Sequence, residues 1–178
     1  MGTSGQQQLR DRLDELRQKW CRQGLPSRQQ LEKIYDKMSA WKKDRNIPGL
    51  WQQAPRLLTA TVDDGMGLGL DIIERFADLA GMAVDRLGLL QTKEALVAAC
   101  RARQPEFLGL TVLRLDCEDD LAHIGRNIPS STHFIAGGPV FKYDPELAKR
   151  CNITFVAGHV GHFIDYLLKW NQLHVPLA

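Results

Sequence analysis

Apolar and polar residues follow two different patterns along the chain, and the change falls near residue 55. Before it, the stretch "QQQLRDRLDELRQKW" places four apolar residues at helical spacing, namely Leu9, Leu13, Leu16 and Trp20. After a break at "RQGLPS", Ser27 can cap a second helix, "RQQLEKIYDKMSAWKKD". The pattern therefore predicts a helical segment, residues 1–55, that ends in the linker "RNIPGLWQQAP".

From residue 56 onward, apolar runs of strand length alternate with helical segments. The runs are "RLLTATV" (56–62), "MAVDRLG" (82–88), "FLGLTVL" (107–113), "THFIAGG" (132–138) and "ITFVAG" (153–158). The helical segments are "LGLDIIERFADLAG", "TKEALVAACRARQ", "CEDDLAHIGRNI", "DPELAKRC" and "VGHFIDYLLKW". Such alternation favours a parallel sheet covered by helices on both faces. Residues 56–178 are therefore predicted to form a flavodoxin-like α/β domain whose five parallel strands run in the order 2-1-3-4-5.

Composition narrows the class of protein. The apolar fraction of 44%, the charged fraction of 25% and the net charge of +2 are those of a globular protein without the charge of a dedicated nucleic-acid binder. No apolar run reaches the length of a membrane span, and the polar N-terminus lacks a signal core. The four cysteines form no CxxC pair. We therefore expect reduced thiols, a cytoplasmic location and no membrane or nucleic-acid partner.

Glycines cluster where the predicted strands end. The segments "DDGMGLG", "AGGPVF" and "AGHVGH" follow the first, fourth and fifth strands. The carboxyl ends of parallel strands meet at one edge of the sheet, where open α/β sheets bind ligands. Glycines at three of these strand ends favour a large flat or extended ligand over a small ion.

Two common nucleotide signatures fail on this loop. A dinucleotide fingerprint, G-x-G-x-x-G, would need a third glycine where Leu70 stands, although Asp85 lies where a ribose ligand is expected. A phosphate loop requires a lysine that the segment lacks.

A third pattern accounts for more of the chain, because three short motifs occur in order. The first motif reads Asp64-Gly65-Met66-Gly67-Leu68-Gly69, the second Thr111-Val112-Leu113 and the third Gly137-Gly138. On the basis of these three motifs, residues 56–170 resemble the cobalamin-binding domain of methionine synthase, corrinoid methyltransfer proteins and cobalamin-dependent photoreceptors. That family's motifs are D-x-H-x-x-G, S-x-L and G-G, and "LAGMAVDRLG" is similar to its "AAGYEVIDLG" pattern.

The resemblance implies how cobalamin would bind. The dimethylbenzimidazole tail would enter a groove between the sheet and the helices, where the glycines after strands 1 and 4 make room for it. Residues 154–158, which end at Gly158, would lie near the inserted tail. The Thr111 hydroxyl would hydrogen-bond the tail nitrogen, as the family's serine does. In the family, the motif histidine binds the lower face of cobalt and the motif aspartate orients it.

Met66 stands where the family has that histidine, and several interpretations stay open. Met66 can form an apolar floor under a corrin whose lower face is vacant or holds a water. The cofactor can bind with its own base on cobalt, or haem can take the site. The domain can also bind no corrinoid, and the Met66 thioether is at best a weak cobalt ligand.

The resemblance implies a corrinoid carrier or sensor, not a complete enzyme. As a carrier the chain would serve as the corrinoid subunit of a methyltransferase system, with a methyltransferase or a regulatory protein as partner. The alternative is a signalling or interaction module that binds haem or no cofactor. A homodimer stays open.

Two further features have structural interpretations. His159 and His162 have the spacing of half a metal site, but no third ligand is evident, so a rim or helix-capping role is favoured. Trp20, Trp41 and Trp51 are expected in the core or between helices, or as a partial cap over the upper corrin face.

Overall fold

The computed structural model describes residues 4–63 and 68–174, and for Leu68 and residues 172–174 it describes the backbone only. Asp64, Gly65, Met66 and Gly67 lie outside the described residues. Two compact units divide the chain, which passes from one to the other after Ala54, Asp71, Ala83 and Gly158. We call them the helical unit, which contains both chain ends, and the sheet unit.

The sheet unit is built on five parallel strands in the order β2-β1-β3-β4-β5. The strands are β1 (Arg56–Thr61), β2 (Ala83–Gly88), β3 (Phe107–Thr111), β4 (His133–Gly137) and β5 (Phe155–Val156). The predicted parallel sheet, its strand order and the flavodoxin-like class are confirmed. In the register, Thr61 at the end of β1 lies opposite Thr111, which in turn lies opposite Gly137.

The helices of the sheet unit are α4 (Lys93–Arg103), α5 (Glu118–Asn127), α6 (Val140–Tyr143) and α7 (Leu147–Arg150). Thr92 caps α4 as predicted, since its hydroxyl accepts the Ala95 N–H at 3.2 Å. Apolar side chains of β1, β3 and β4 and of these helices share one buried cluster that includes Leu58, Leu108 and Leu121. Burial of such side chains is the main stabilising term of the sheet unit.

The fourth predicted helix is the part of the pattern that differs most from the structure. The expected helix over "DPELAKRC" is reduced to the short α7, and α6 precedes it unexpectedly. Pro145 lies between them and has no N–H to continue a helical ladder. β5 is also shorter than predicted, and it is an edge strand that pairs with β4 alone.

The helical unit contains α1 (Gly5–Gln23), α2 (Arg28–Asp44), most of α3 (Leu68–Ala80) and α8 (Val160–His174). Ser27 caps α2, and the Gln30 side chain bonds back to the Ser27 N–H in a capping box. α1 packs against α8, where Arg17 pairs with Asp165 at 3.2 Å.

The segment after α2 is tied to the end of α3. The Leu50 N–H donates to the Ala80 carbonyl at 2.7 Å. Beside it, the backbones of Gly49 and Gly81 approach so closely that a Cβ on Gly49 would lie 2.6 Å from the Gly81 Cα. Side chains are excluded at both positions, which fixes the path of the linker.

The predicted packing of the tryptophans is confirmed for Trp20. Its buried ring meets Phe76 edge to face, with ring centroids 5.4 Å apart. Trp41 lies under the Arg12 guanidinium at 4.2 Å, and Trp51 contacts Trp170 at 5.8 Å. Among the described residues, no helix is both long and apolar enough to cross a membrane.

Candidate functional site

The candidate site lies at the carboxyl edge of the sheet, beside the end of β1. The chain leaves β1 for β2 on one side and later returns to β3 on the other, so the connections diverge at this point. Such a divergence opens a crevice between two neighbouring loops. The loop that begins here is the one whose residues 64–69 form the first motif.

Asp63 fastens the start of this loop to the neighbouring strand. Its carboxylate accepts the Leu113 main-chain N–H at 2.7 Å, and its carbonyl accepts the Thr61 hydroxyl at 2.9 Å. Asp63 is only 5% exposed. Asp63 was not among the residues predicted for the site, and its structural role was missed. The signal available in the sequence was an acidic residue directly after an apolar strand.

Most of the first motif lies outside the described residues, so the predictions for Asp64, Gly65, Met66 and Gly67 remain predictions. Leu68 begins α3, but its side chain is not described. Gly69 follows in the first turn of α3 and is exposed. Among the described residues, no atom lies within 4 Å of the point where a Gly69 Cβ would stand.

The two glycines of the third motif have a different environment. A Cβ on Gly138, whose φ is +133°, would overlap the Val112 carbonyl oxygen. A Cβ on Gly137 would lie 2.8 Å from the Ala157 carbonyl oxygen. Packing within the sheet unit therefore requires glycine at both positions without reference to any ligand. By contrast, Gly69 has no such requirement among the described residues.

The second motif ends β3. Thr111 is half-buried at the last position of the strand, and the Leu113 side chain beyond it is 46% exposed. Between them, the Val112 N–H donates to the Gly137 carbonyl at 2.8 Å. The second and third motifs are thus directly hydrogen-bonded. The proposed bond from the Thr111 hydroxyl to a ligand stays a prediction.

Exposed leucines follow both of the strands that lie beside β1. They follow the carboxyl ends of β2 and β3, the two neighbours of β1, and are Leu89, Leu90, Leu113 and Leu115. Leu90 and Leu115 are 64% and 66% exposed. Large apolar side chains that remain exposed in neighbouring loops are a common mark of a binding surface. Of these four leucines, Leu113 alone was predicted as a site residue.

The backbone at Leu90 is held in an unfavourable conformation. Its φ is +54°, in the left-handed region that a leucine side chain disfavours. The next residue anchors the turn, since the Gln91 N–H donates to the Thr61 carbonyl at 2.9 Å. Strain of this kind is frequent at ligand sites, where the surrounding structure maintains it.

Gly158, the last predicted site residue, is exposed and follows β5 at the end of the sheet unit. His159 and His162 come next in the chain and belong to the helical unit. The expectation that the histidines have no third ligand is corrected, because Cys21 lies beside both. Sequence spacing held no signal for this residue, since Cys21 is on α1.

Comparison with known proteins places these features in a family. Residues 56–163 match the model of the B12 binding domain. A search of curated proteins finds no match. Among solved structures, the chain is similar to a cobalamin-binding protein from Desulfitobacterium hafniense DCB-2, with a TM-score of 0.76, 15% identity and coverage of 93% of this chain and 80% of the other.

It is also similar to the monomethylamine corrinoid protein of Methanosarcina barkeri, with a TM-score of 0.58 and 12% identity. That similarity covers 91% of this chain and 80% of the other. At these sequence identities, the similarity to the two structures shows the fold alone. The domain match spans more than half of the chain and includes the three motifs. The chain therefore belongs to the B12-binding domain family.

Proposed function

We propose that the chain binds cobalamin at the carboxyl edge of the sheet and acts as a corrinoid carrier or sensor that lacks the histidine lower ligand. The observation that supports this best is that exposed leucines follow β2 and β3, the two strands on either side of β1. Burying these side chains against a macrocycle would gain about 25 cal/mol for each Å² removed from water.

The described residues have specific roles in this proposal. Asp63 binds the segment after β3, and Gln91 binds the end of β1 from the segment after β2, so both neighbouring segments are fastened at the end of β1. Among the described residues, none outside its own helix occupies the space beside Gly69, which leaves room for close approach of the ligand at the start of α3. The Thr111 hydroxyl, at the end of β3, is the proposed donor to the tail nitrogen. This arrangement fits a ligand with a flat apolar part and a polar tail.

Bound cobalamin would supply a cobalt centre able to hold a methyl group. Met66 would face the lower side of the macrocycle, where its thioether is a weak ligand at most. The proposal therefore has the lower face vacant, water-bound or occupied by the cofactor's own base. As a carrier, the chain would present cobalt to a separate methyltransferase, and as a sensor it would present it to a regulatory partner.

The first experiment is cobalamin retention. The protein is mixed with hydroxocobalamin or methylcobalamin and desalted, and the visible spectrum of the protein fraction is recorded. We expect about one equivalent to stay bound, because the segments after β2 and β3 are already hydrogen-bonded to the end of β1. A colourless protein fraction would instead favour the interaction-module alternative, and retention of haem alone would assign the site to that tetrapyrrole.

A Met66→His substitution tests the lower face. We expect the variant to shift the spectrum of bound cobalamin toward a nitrogen-ligated form from which the tail base is displaced. A Met66→Leu variant is the matched control, because it keeps the volume and removes the sulfur. If Met66→His leaves the spectrum of bound cobalamin unchanged, residue 66 does not face cobalt.

A further inference from the structure

Cys21, His159 and His162 form a cluster in the helical unit, which the proposed function does not use. One potential ligand atom from each residue lies within 4.8 Å of the others. Cys21 is near the end of α1, His159 directly precedes α8, and His162 is in its first turn. Cys21 is exposed and both imidazoles are half-buried, so an ion could reach the group from solvent.

Packing between α1 and α8 holds the cluster in place. A Cβ on Gly161 would lie 2.9 Å from the His159 ring and 3.3 Å from the Trp20 Cβ. Gly161 thus lets the start of α8 approach the end of α1, and Trp20 precedes Cys21 in the chain. Farther along the two helices, the ion pair of Arg17 with Asp165 at 3.2 Å maintains their alignment.

The two imidazoles lie directly against one another. Their rings stack with centroids 3.8 Å apart, at an interplanar angle of 27°. A neutral imidazole has the nitrogen lone pair that a metal ion requires.

Helix capping accounts for only one member of the cluster. His159 Nδ1 accepts the Gly161 N–H at 3.0 Å, which satisfies one donor at the start of α8. That bond gives no reason for His162 to stack on His159 or for a thiol to lie beside both. One thiolate and two imidazoles are a borderline-soft ligand set of the kind that Zn²⁺ prefers.

We propose that Cys21, His159 and His162 bind a zinc ion, with the fourth tetrahedral position open to water. In a tetrahedral zinc site the ligand atoms would be about 3.3–3.6 Å apart, from bond lengths of about 2.0 Å to nitrogen and 2.3 Å to sulfur. Side-chain rotations of little more than about 1 Å would close the present group to that size. Three protein ligands and an open position are the pattern of reactive zinc sites, whereas structural sites have four protein ligands.

The test is zinc stoichiometry of the full chain purified without cobalamin. The protein is stripped with a chelator, incubated with Zn²⁺, desalted and analysed for zinc by mass spectrometry. We expect about one zinc per chain, and affinity that falls as the pH is lowered because protons compete for the ligands. Cys21→Ser and His162→Gln should each weaken zinc binding by more than about 100-fold, beyond the effect of an outer-shell change.

His123→Gln is the matched control, because His123 lies on α5 in the sheet unit, outside the cluster. It should retain zinc at the wild-type level. Circular dichroism establishes that each variant is folded. Failure of the wild-type protein to retain zinc, or equal retention by a folded Cys21→Ser variant, would overturn the proposal. Cobalamin is absent from the assay, so its outcome is independent of the proposed corrinoid function.

Two signals report the site directly. Zinc should slow alkylation of Cys21, which is the exposed cysteine, while the other three are buried. Zinc should also shift the NMR signal of the Gly161 amide, because ligation either displaces that donor from His159 Nδ1 or moves the ring proton. Zinc that leaves both signals unchanged is bound elsewhere, and the proposal would fail.

Discussion

The main-chain N–H of Leu113 donates a 2.7 Å hydrogen bond to the carboxylate of Asp63. This bond joins the loop after β1 to the end of β3, the two sides of the crevice where the sheet connections diverge. It therefore fixes Asp63, the residue that precedes the first motif, to the residue that ends the second motif. The contribution of this hydrogen bond to the free energy of unfolding can be measured by substitution, as can the tolerance of neighbouring positions to larger or different side chains.

Asp63→Ala should lower the free energy of unfolding by about 1.5–3 kcal/mol, the range for a hydrogen bond to a charged group. Asp63→Asn keeps an acceptor oxygen and should lose less. Urea denaturation monitored by circular dichroism compares the three proteins. An Asp63→Ala protein with the wild-type midpoint would show that the bond contributes nothing to stability.

Gly138→Ala should destabilise the protein by about 2 kcal/mol or more, because the added Cβ meets the Val112 carbonyl oxygen and the backbone is left-handed. The same urea titration measures this loss. A variant of normal stability would mean that β3 and β4 separate easily at this edge.

Gly69→Ala has the opposite expectation for stability. The described structure leaves space for its Cβ, so the change should raise the stability of the ligand-free protein by up to about 1 kcal/mol. If a ligand approaches this position, cobalamin affinity should fall about tenfold or more, equal to 1.4 kcal/mol. Equal cobalamin affinity in both proteins would remove Gly69 from the proposed site.

The Leu90→Asn substitution tests separately the backbone strain at residue 90 and the contribution of its side chain to cobalamin binding. Asparagine tolerates a left-handed backbone better than leucine, so the variant should be more stable by about 0.5–1 kcal/mol. It should bind cobalamin more weakly because an apolar contact is lost. Leu25→Asn, at an exposed leucine of the helical unit, is the control and should change cobalamin affinity little. If both variants bind cobalamin equally well, Leu90 is not part of the site.

Cysteine alkylation should show one fast thiol. Burial raises the pKa of Cys100 and of Cys151 to about 11, and burial also raises the pKa of Cys117. Near neutral pH these three are protonated and inaccessible, and the rate should rise for them only as the pH approaches those values or the protein unfolds. Cys21 is exposed. Mass spectrometry after brief iodoacetamide treatment should find a single modification, and rapid modification of a buried cysteine would contradict the packing.

Several elements could be predicted from local pattern alone. Apolar runs such as 107–113 indicate strands because both faces of a parallel sheet are buried. Ser27 and Thr92 indicate helix starts because a hydroxyl can satisfy an N–H that the helix leaves free. The helix predicted over residues 144–151 was wrong in length, since so brief a helix is marginal by itself and tertiary packing decides how much of it forms.

For the site, the sequence by itself determined the three motifs and the sheet edge at which they meet, because strand order and direction follow from alternation and handedness. The tertiary structure decided which of the predicted site residues are required by packing and which residues distant in the chain come together. It showed that neighbouring carbonyl oxygens exclude a side chain at Gly137 and at Gly138. Among the described residues, none outside its own helix excludes a side chain at Gly69. It also brought Cys21 of α1 to His159 and His162 at the start of α8. Contacts between residues so distant in the chain depend on how helices pack, and no spacing within a single segment encodes that.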